Sequence, residues 1–197
     1  MIRSIPQLGD PVLRATNTTV SPEQLASNEI QQLIDDMIDT MRDAKGAGIA
    51  ANQVGVNLRI CVIGVDHNAR YPYKPPIPLT VLVNPTIEPL DAITYLNNEG
   101  CLSVPIRGDL HRYMSIRVTA LDRHGAPIDG IYRGLSAGTV QHEVDHLDSK
   151  LIVDRIHDPL SMSTWANFAQ FGYDEYIRRV QPVIDVTEPQ VETSDHD

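Results

Sequence analysis

The stretch QHEVDHLDSK, residues 141–150, places two histidines four residues apart with a glutamate after the first. On a helix, positions i and i+4 lie one above the other, so His142 and His146 can face one metal ion. Glu143 lies about 100° round from His142. From there it can reach a water beside the metal without ligating the metal itself. That is the position of a general base in metal-assisted hydrolysis. The bland alternative is a solvated polar helix face. Two histidines do not complete a metal shell, so the third ligand decides the class. The metzincin extension requires glycine three residues after the second histidine and histidine six after it. Ser149 and Ile152 stand there, which excludes it. The downstream acids Asp154, Asp174 and Glu175 fall in no recognisable zincin context. Cys101, in NNEGCLSVP (97–105), remains. A thiolate suits a late first-row metal, and one cysteine with two histidines leaves an open, catalytic position. Cys61 sits inside an apolar run and reads as a small buried hydrophobe. Cys101, flanked by Glu99, Gly100 and Ser103, does not.

A third stretch, GAGIAANQVG (46–55), carries two glycines one residue apart. They permit close approach of another chain to the backbone. The spacing matches neither a dinucleotide fingerprint nor a P-loop. Gln53 offers an amide donor for a developing oxyanion. A plain helix-to-strand turn would look similar.

Taken together, the three stretches resemble the peptide deformylase family, whose pattern runs GxGxAAxQ, then EGCxS, then QHExDHLxGxL. Here the matching residues are Gly46 to Gln53, Glu99 to Ser103 and Gln141 to Leu147, in that order. GDPVLR (9–14) is similar to the family's N-terminal segment, and the resemblance spans roughly residues 4–157. It implies hydrolysis of the N-formyl group from the N-terminal formyl-methionine of new polypeptides, releasing formate. It implies one metal ion per chain on Cys101, His142 and His146, natively Fe2+, with Ni2+, Co2+ or Zn2+ able to substitute. Glu143 would move the proton from water to the leaving amine. The Gln53 side chain and the Leu102 amide would stabilise the tetrahedral oxyanion. The peptide would add as a strand beside Ala47, Gly48 and Gly100, with Arg107 contacting it. One residue departs from the pattern. Ser149 replaces the glycine usual after HExDHL, outside the metal shell, where a local backbone effect is expected.

Two further readings come from the residues themselves. Gly138 lies one turn before His142, and an interior helical glycine costs about 1 kcal/mol against alanine. It leaves room for the substrate's methionine side chain, or else serves close helix–strand packing. Asp145 is a partner for a basic residue such as Arg155, or a surface acid. His67, His111, His124, His157 and His196 have no partner spacing and read as surface residues. Two competing functions are a metal-dependent peptidase using the same His-Glu-His chemistry and a non-catalytic protein with a structural metal. Requirement for a formyl group separates the first from a deformylase, and requirement for Glu143 separates the second.

The elements that must position these residues read as α+β, with antiparallel sheets around a central helix carrying the HExxH motif. Residues 28–45 show one apolar stripe, with Asn28 and Gln31 as a capping box. LRICVIGV (58–65), LTVLVNPTIEPL (79–90), SIRVTALD (115–122) and IDGIYRG (128–134) read as strands. The Pro-rich stretch 66–78 reads as a long loop. The central helix spans Ser136 to about Leu147, with Ser136 as N-cap. Residues 1–160 form the catalytic domain, 161–180 a helical extension broken near Gly172, and 181–197 a disordered acidic tail. Net charge is −10 from 26 acidic and 16 basic residues. That argues against direct nucleic-acid or anionic-membrane binding. No apolar run approaches the ~20 residues of a membrane span. The N-terminus has neither a signal h-region nor a transit-peptide composition, so a cytoplasmic location is expected. Nascent formyl-methionyl peptides as substrate imply transient proximity to the ribosome.

Overall fold

The computed structural model describes residues 1–66 and 72–187. His67, His196, part of the Pro-rich loop and the acidic tail from residue 188 lie outside the described residues. A 3-10 turn at Pro11–Arg14 and a single helical turn, α1 (Pro22–Leu25), precede the long helix α2 (Asn28–Asp43). Ile30, Leu33, Ile34, Met37, Ile38 and Met41 form the buried stripe of α2, as their spacing predicts. Its N-cap is Ser27, whose hydroxyl accepts from the Ile30 amide, one residue before the expected cap.

Seven strands and α3 follow. They are β1 (Gly48–Ala50), β2 (Ile60–Val65), β3 (Ile77–Pro89), β4 (Thr94–Cys101), β5 (Val104–Tyr113), β6 (Ser115–Leu121) and β7 (Pro127–Arg133), then α3 (Gly134–Leu147). A short β8 (Ser163–Thr164) leads into α4 (Trp165–Asn167), a π-helical turn at Phe168–Gly172, and α5 (Tyr173–Asp185). One sheet has the order β1-β2-β3-β6-β7 and the other β4-β5-β8, and all the pairings within them are antiparallel. The fold is α+β, as expected.

The five-stranded sheet is covered on both faces. Ile60 and Val62 of β2 pack toward α2 with Ile34 and Met37. Cys61, Ile63 and Val65 pack toward α3 with Ala137, Val140 and Val144. A strand buried on both faces reads as a continuous apolar run, which is why β2 was visible in the sequence. Cys61 is fully buried there, inside the apolar layer that its surroundings in the sequence suggested.

Three expectations are corrected. The central helix starts at Gly134, and Ser136 is a buried residue inside it rather than its cap. The cap comes from a distant element. Thr187, just beyond α5, accepts the Leu135 amide with its hydroxyl at 2.9 Å. The terminal helix also continues to Asp185, with Pro182 inside it, past the expected end of order at 180. The hairpin β4–β5 was not anticipated, and it carries Cys101 and Arg107.

Candidate metal centre

Helix α3 is buried almost all round, between the five-stranded sheet and the β4–β5 hairpin. Its C-terminal end, which carries the histidines, is fixed by polar contacts to the backbone. The carbonyl of His146 accepts from Asn52 Nδ2 at 2.9 Å and from Asn17 Nδ2 at 3.2 Å. Leu147 O accepts from Arg59 at 3.2 Å. These donors satisfy carbonyls that a helix end leaves orphaned. Neither asparagine was singled out from the sequence, because a capping amide distant in the chain leaves no spacing signal.

Cys101 ends β4, at a two-residue connection to β5. Its sulfur lies 3.2 Å from His146 Nε2, and the donor atoms of Cys101, His142 and His146 all fall within 4.8 Å of one another. The set is one soft sulfur and two imidazole nitrogens, close enough for a single ion to touch all three. Cys101 and His146 are buried and His142 is 12% exposed. His146 Nδ1 and Glu143 Oε2 are buried without a hydrogen-bond partner among the described residues. A buried glutamate oxygen lacking a partner beside a sulfur–imidazole set fits a site built to receive a metal and a polar reactant.

The orientation of His142 is set by a chain of charged groups. Its Nδ1 lies 2.9 Å from Glu99 Oε2, which leaves Nε2 for the metal side. Glu99 in turn accepts two hydrogen bonds from Arg112, both at 2.8 Å. Arg112 donates to Asp145 at 2.6 Å, and Asp145 also accepts from Arg155 at 2.6 Å. Asp145 therefore has the Arg155 partner that the sequence suggested, and Arg112 as well. Burial would raise the Glu99 carboxyl, but the Arg112 guanidinium beside it holds it well below the usual carboxylate range. Burial works in the same direction on Glu143 and there prevails, lifting its pKa to about 7. The site thus holds two buried glutamates with opposite character, one a fixed anion and one able to take and release a proton near neutrality.

Gln53 is buried beside the cysteine. Its amide nitrogen lies 3.4 Å from Cys101 Sγ and 3.1 Å from Ser103 Oγ, and its Oε1 accepts the Ala50 amide at 2.9 Å. Leu102 follows Cys101 at the same connection, and its carbonyl accepts from Gln7 at 3.1 Å. Gly48 faces Glu143 so closely that an added Cβ would lie within 2.4 Å of the carboxylate. Strands β1 and β4 are both edge strands, and residues from both line the cleft, Ala47 beside them. An edge strand presents backbone donors and acceptors that a further extended chain can pair with.

Gly100, Arg107 and Gly138 also line this cleft, a cavity of about 50 Å3. An added Cβ on Gly100 would strike the Trp165 ring at 2.2 Å. The Arg107 guanidinium is buried, lies over the Trp165 and Phe168 rings, and donates to Asn98 at 2.8 Å. At Gly138 the space for a Cβ is held by Tyr95 Oη, 2.3 Å away, a close packing that requires glycine. Lys74, in the Pro-rich stretch, also reaches the cleft and donates to Thr139 Oγ1 at 3.0 Å. Arg112 and Lys74 escaped notice because neither lies in a motif.

A buried cysteine and two histidines on a held helix, with an unpartnered glutamate oxygen between them, define a metal-dependent hydrolase site. Residues 2–161 match the family model described as polypeptide deformylase. The chain is 44% identical over 178 residues to peptide deformylase 2 of Ralstonia nicotianae, covering 90% of this chain and 94% of that protein. It is 39% identical to peptide deformylase 1 of Nitrosomonas europaea, over 94% of this chain and 99% of the relative. Among solved structures, it resembles a Met-Ala-Ser-bound class I type b peptide deformylase from Acinetobacter baumannii. The TM-score is 0.76 with 38% identity, over 79% of this chain and 99% of that one. An actinonin complex of a Synechococcus elongatus peptide deformylase matches with TM-score 0.70 and 32% identity, over 94% of this chain and 90% of that one. The chain belongs to the peptide deformylase family.

Proposed function

We propose that the protein removes the formyl group from the N-terminal formyl-methionine of newly made polypeptides, releasing formate and a free amine. The observation that carries this reading is the juxtaposition of the Cys101, His142 and His146 donor set with the buried Glu143. Those three residues would hold one metal ion, Fe2+ by family resemblance, with Ni2+, Co2+ or Zn2+ as substitutes. Bound there, the ion supplies Lewis-acid polarisation of water and of the formyl oxygen.

The chain's own groups account for the rest. Glu143, with a pKa of about 7, accepts a proton from water and returns it to the leaving nitrogen. The Gln53 amide and the Leu102 N–H donate to the oxygen that becomes negative as the formyl carbon turns tetrahedral. Ser103 and the Ala50 amide hold Gln53 beside Cys101 before reaction. An extended peptide pairs between the β1 and β4 edges, along Ala47, Gly48 and Gly100, with Arg107 at its side. The Met-Ala-Ser bound to the A. baumannii relative supports a peptide as the occupant. Gly138 lines the same cleft, with Tyr95 packed into the space beside it. Formyl is the smallest acyl group, and a site this enclosed excludes acetyl.

Among the described residues no helix is long and apolar enough to cross a membrane. A cytoplasmic location and transient proximity to the ribosome belong to this same reading. The test is formate release from formyl-Met-Ala-Ser by anaerobically prepared protein loaded with Fe2+ or Ni2+. Chelator-sensitive release that spares acetyl-Met-Ala-Ser supports the reading. Peptide-bond cleavage without formate release would move the peptidase alternative to first place.

A further inference from the structure

Helix α5 lies beyond residues 2–161, the span that matches the family model, yet it is tied to both elements that carry the candidate metal ligands. Tyr176, Val180 and Val183 recur at helical steps and form its buried stripe, against Tyr95 of β4 and Leu135 of α3. Just past its end, Thr187 caps α3 at the Leu135 amide. In its first turn, the Tyr176 hydroxyl donates to Asn97 Oδ1 at 2.8 Å, and Asn97 Nδ2 donates to Glu99 Oε1 at 2.9 Å. Asn97 and Glu99 are two residues apart on β4, so their side chains leave the same face of the strand. Tyr176, Asn97 and Glu99 are all buried, so these bonds form with little competition from water. Glu99 Oε2 faces His142 Nδ1 at 2.9 Å. A carboxylate is a rigid plane, and here each oxygen has one Arg112 donor and one further partner. Arg112 alone would leave that plane free to rock about the axis it shares with the guanidinium. Asn97 on one oxygen and His142 on the other remove that freedom. A shift at Oε1 therefore turns Oε2 and moves the partner of His142.

Resting on the reading that Cys101, His142 and His146 hold the metal of a deformylase, we propose that Tyr176 is a positioning residue for His142, acting through Asn97 and Glu99. The hydroxyl pins the Asn97 amide with its NH2 group toward the carboxylate. The pinned amide fixes the tilt of Glu99, and Glu99 fixes the imidazole ring of His142. A hydroxyl on a separate helix thus sets how well the histidine is preorganised before it meets an ion. Without it the ring must be ordered on binding, and affinity falls by that cost.

The experiment measures the Co2+ dissociation constant of the full chain by competition with a chelator. It compares wild type, Tyr176→Phe, Asn97→Leu, the double variant and Arg179→Gln, with denaturant unfolding of each. Tyr176→Phe keeps the ring packed beside Tyr73 and Phe168 and removes only the hydroxyl. It is expected to weaken Co2+ binding by about 10-fold, the lower end for changes behind a ligand. The hydroxyl also hydrogen-bonds Tyr73, so a double-mutant cycle isolates the arm through Asn97. In the Asn97→Leu background, Tyr176→Phe should weaken binding by less than about 2-fold. Arg179→Gln removes the ion pair of α5 with Asp109, and should lower stability while folded protein keeps the wild-type Co2+ affinity. Affinity unchanged by Tyr176→Phe, or a loss that persists in full in the Asn97→Leu background, would overturn the proposal. So would an equal loss in Arg179→Gln, since loosening of α5 as a whole would then account for it. Affinity is read without turnover. The expected coupling in a protein that releases no formate from formyl-Met-Ala-Ser would sink the deformylase reading and spare the role of Tyr176.

Discussion

Strands β2 and β4 both run beside helix α3, and they are built on opposite chemistry. In β2, Ile60, Cys61, Val62, Ile63 and Val65 are all apolar and buried, only Gly64 is half-buried, and the strand is packed on both faces. In β4 the buried residues include Asn97, Asn98 and Glu99, and their partners are Tyr176, Asp109, Arg107 and Arg112. The first strand is held by area removed from water, a non-directional force that tolerates volume-conserving change. The second is held by hydrogen bonds and ion pairs that must all be present, because an unmatched buried charge is expensive. The candidate metal centre lies on the polar side, where geometry is fixed by directional contacts.

Four substitutions would break or sharpen this contrast. Glu143→Gln keeps the shape of the site and removes its proton carrier. We expect kcat to fall by about 10²–10⁴-fold with melting temperature and metal content retained. Equal loss of metal would show that Glu143 serves the site's assembly instead. Glu99→Gln leaves Arg112 with a weakened partner and loosens the hold on His142 Nδ1. Its cost should approach the roughly 3–5 kcal/mol of a broken buried ion pair, read by denaturant unfolding, with metal affinity falling in parallel. Unchanged unfolding and metal affinity would mean that the charge on Glu99 does not hold this wall together. Leu82→Ala, at a fully buried residue of β3, should cost about 2–5 kcal/mol while activity per folded molecule stays at the wild-type value. Activity loss there beyond the unfolded fraction would contradict the division of labour. Ser149→Gly has the smallest expected effect. Ser149 has φ +59, a left-handed conformation that disfavours a side chain, and its hydroxyl donates to Ala15 O at 2.7 Å. The relieved strain of about 1–2 kcal/mol and the lost hydrogen bond of about 0.5–1.5 kcal/mol nearly cancel. A melting shift beyond a few degrees would show that one of the two dominates.

The same contrast explains what could be read from the sequence. The stripe of α2 and the runs of β2, β3, β6 and β7 were legible because burial imposes a period or a continuous apolar run. His142, Glu143 and His146 were legible because their spacing on a helix restricts the chemistry, and Cys101 because its polar neighbours set it apart from the apolar surroundings of Cys61. Strands β4 and β5 were not, since polar residues such as Asn97, Asn98 and Arg112 show no apolar period and their partners lie far along the chain. The cap of α3 was misplaced for a related reason. Ser136 has the right type, but the cap comes from Thr187, 52 positions after the Leu135 amide it accepts. Lys74 sits in a segment whose prolines suggested only a loop.

The central claim is that one metal ion is held by Cys101 together with His142 and His146. The most direct measurement is the absorption spectrum of the Co2+-loaded protein, with metal content, for wild type, Cys101→Ala and Cys61→Ala. The account predicts one ion per chain and a sulfur-to-cobalt charge-transfer band that survives Cys61→Ala and disappears in Cys101→Ala. A band that persists without Cys101, or one that vanishes without Cys61, would contradict it.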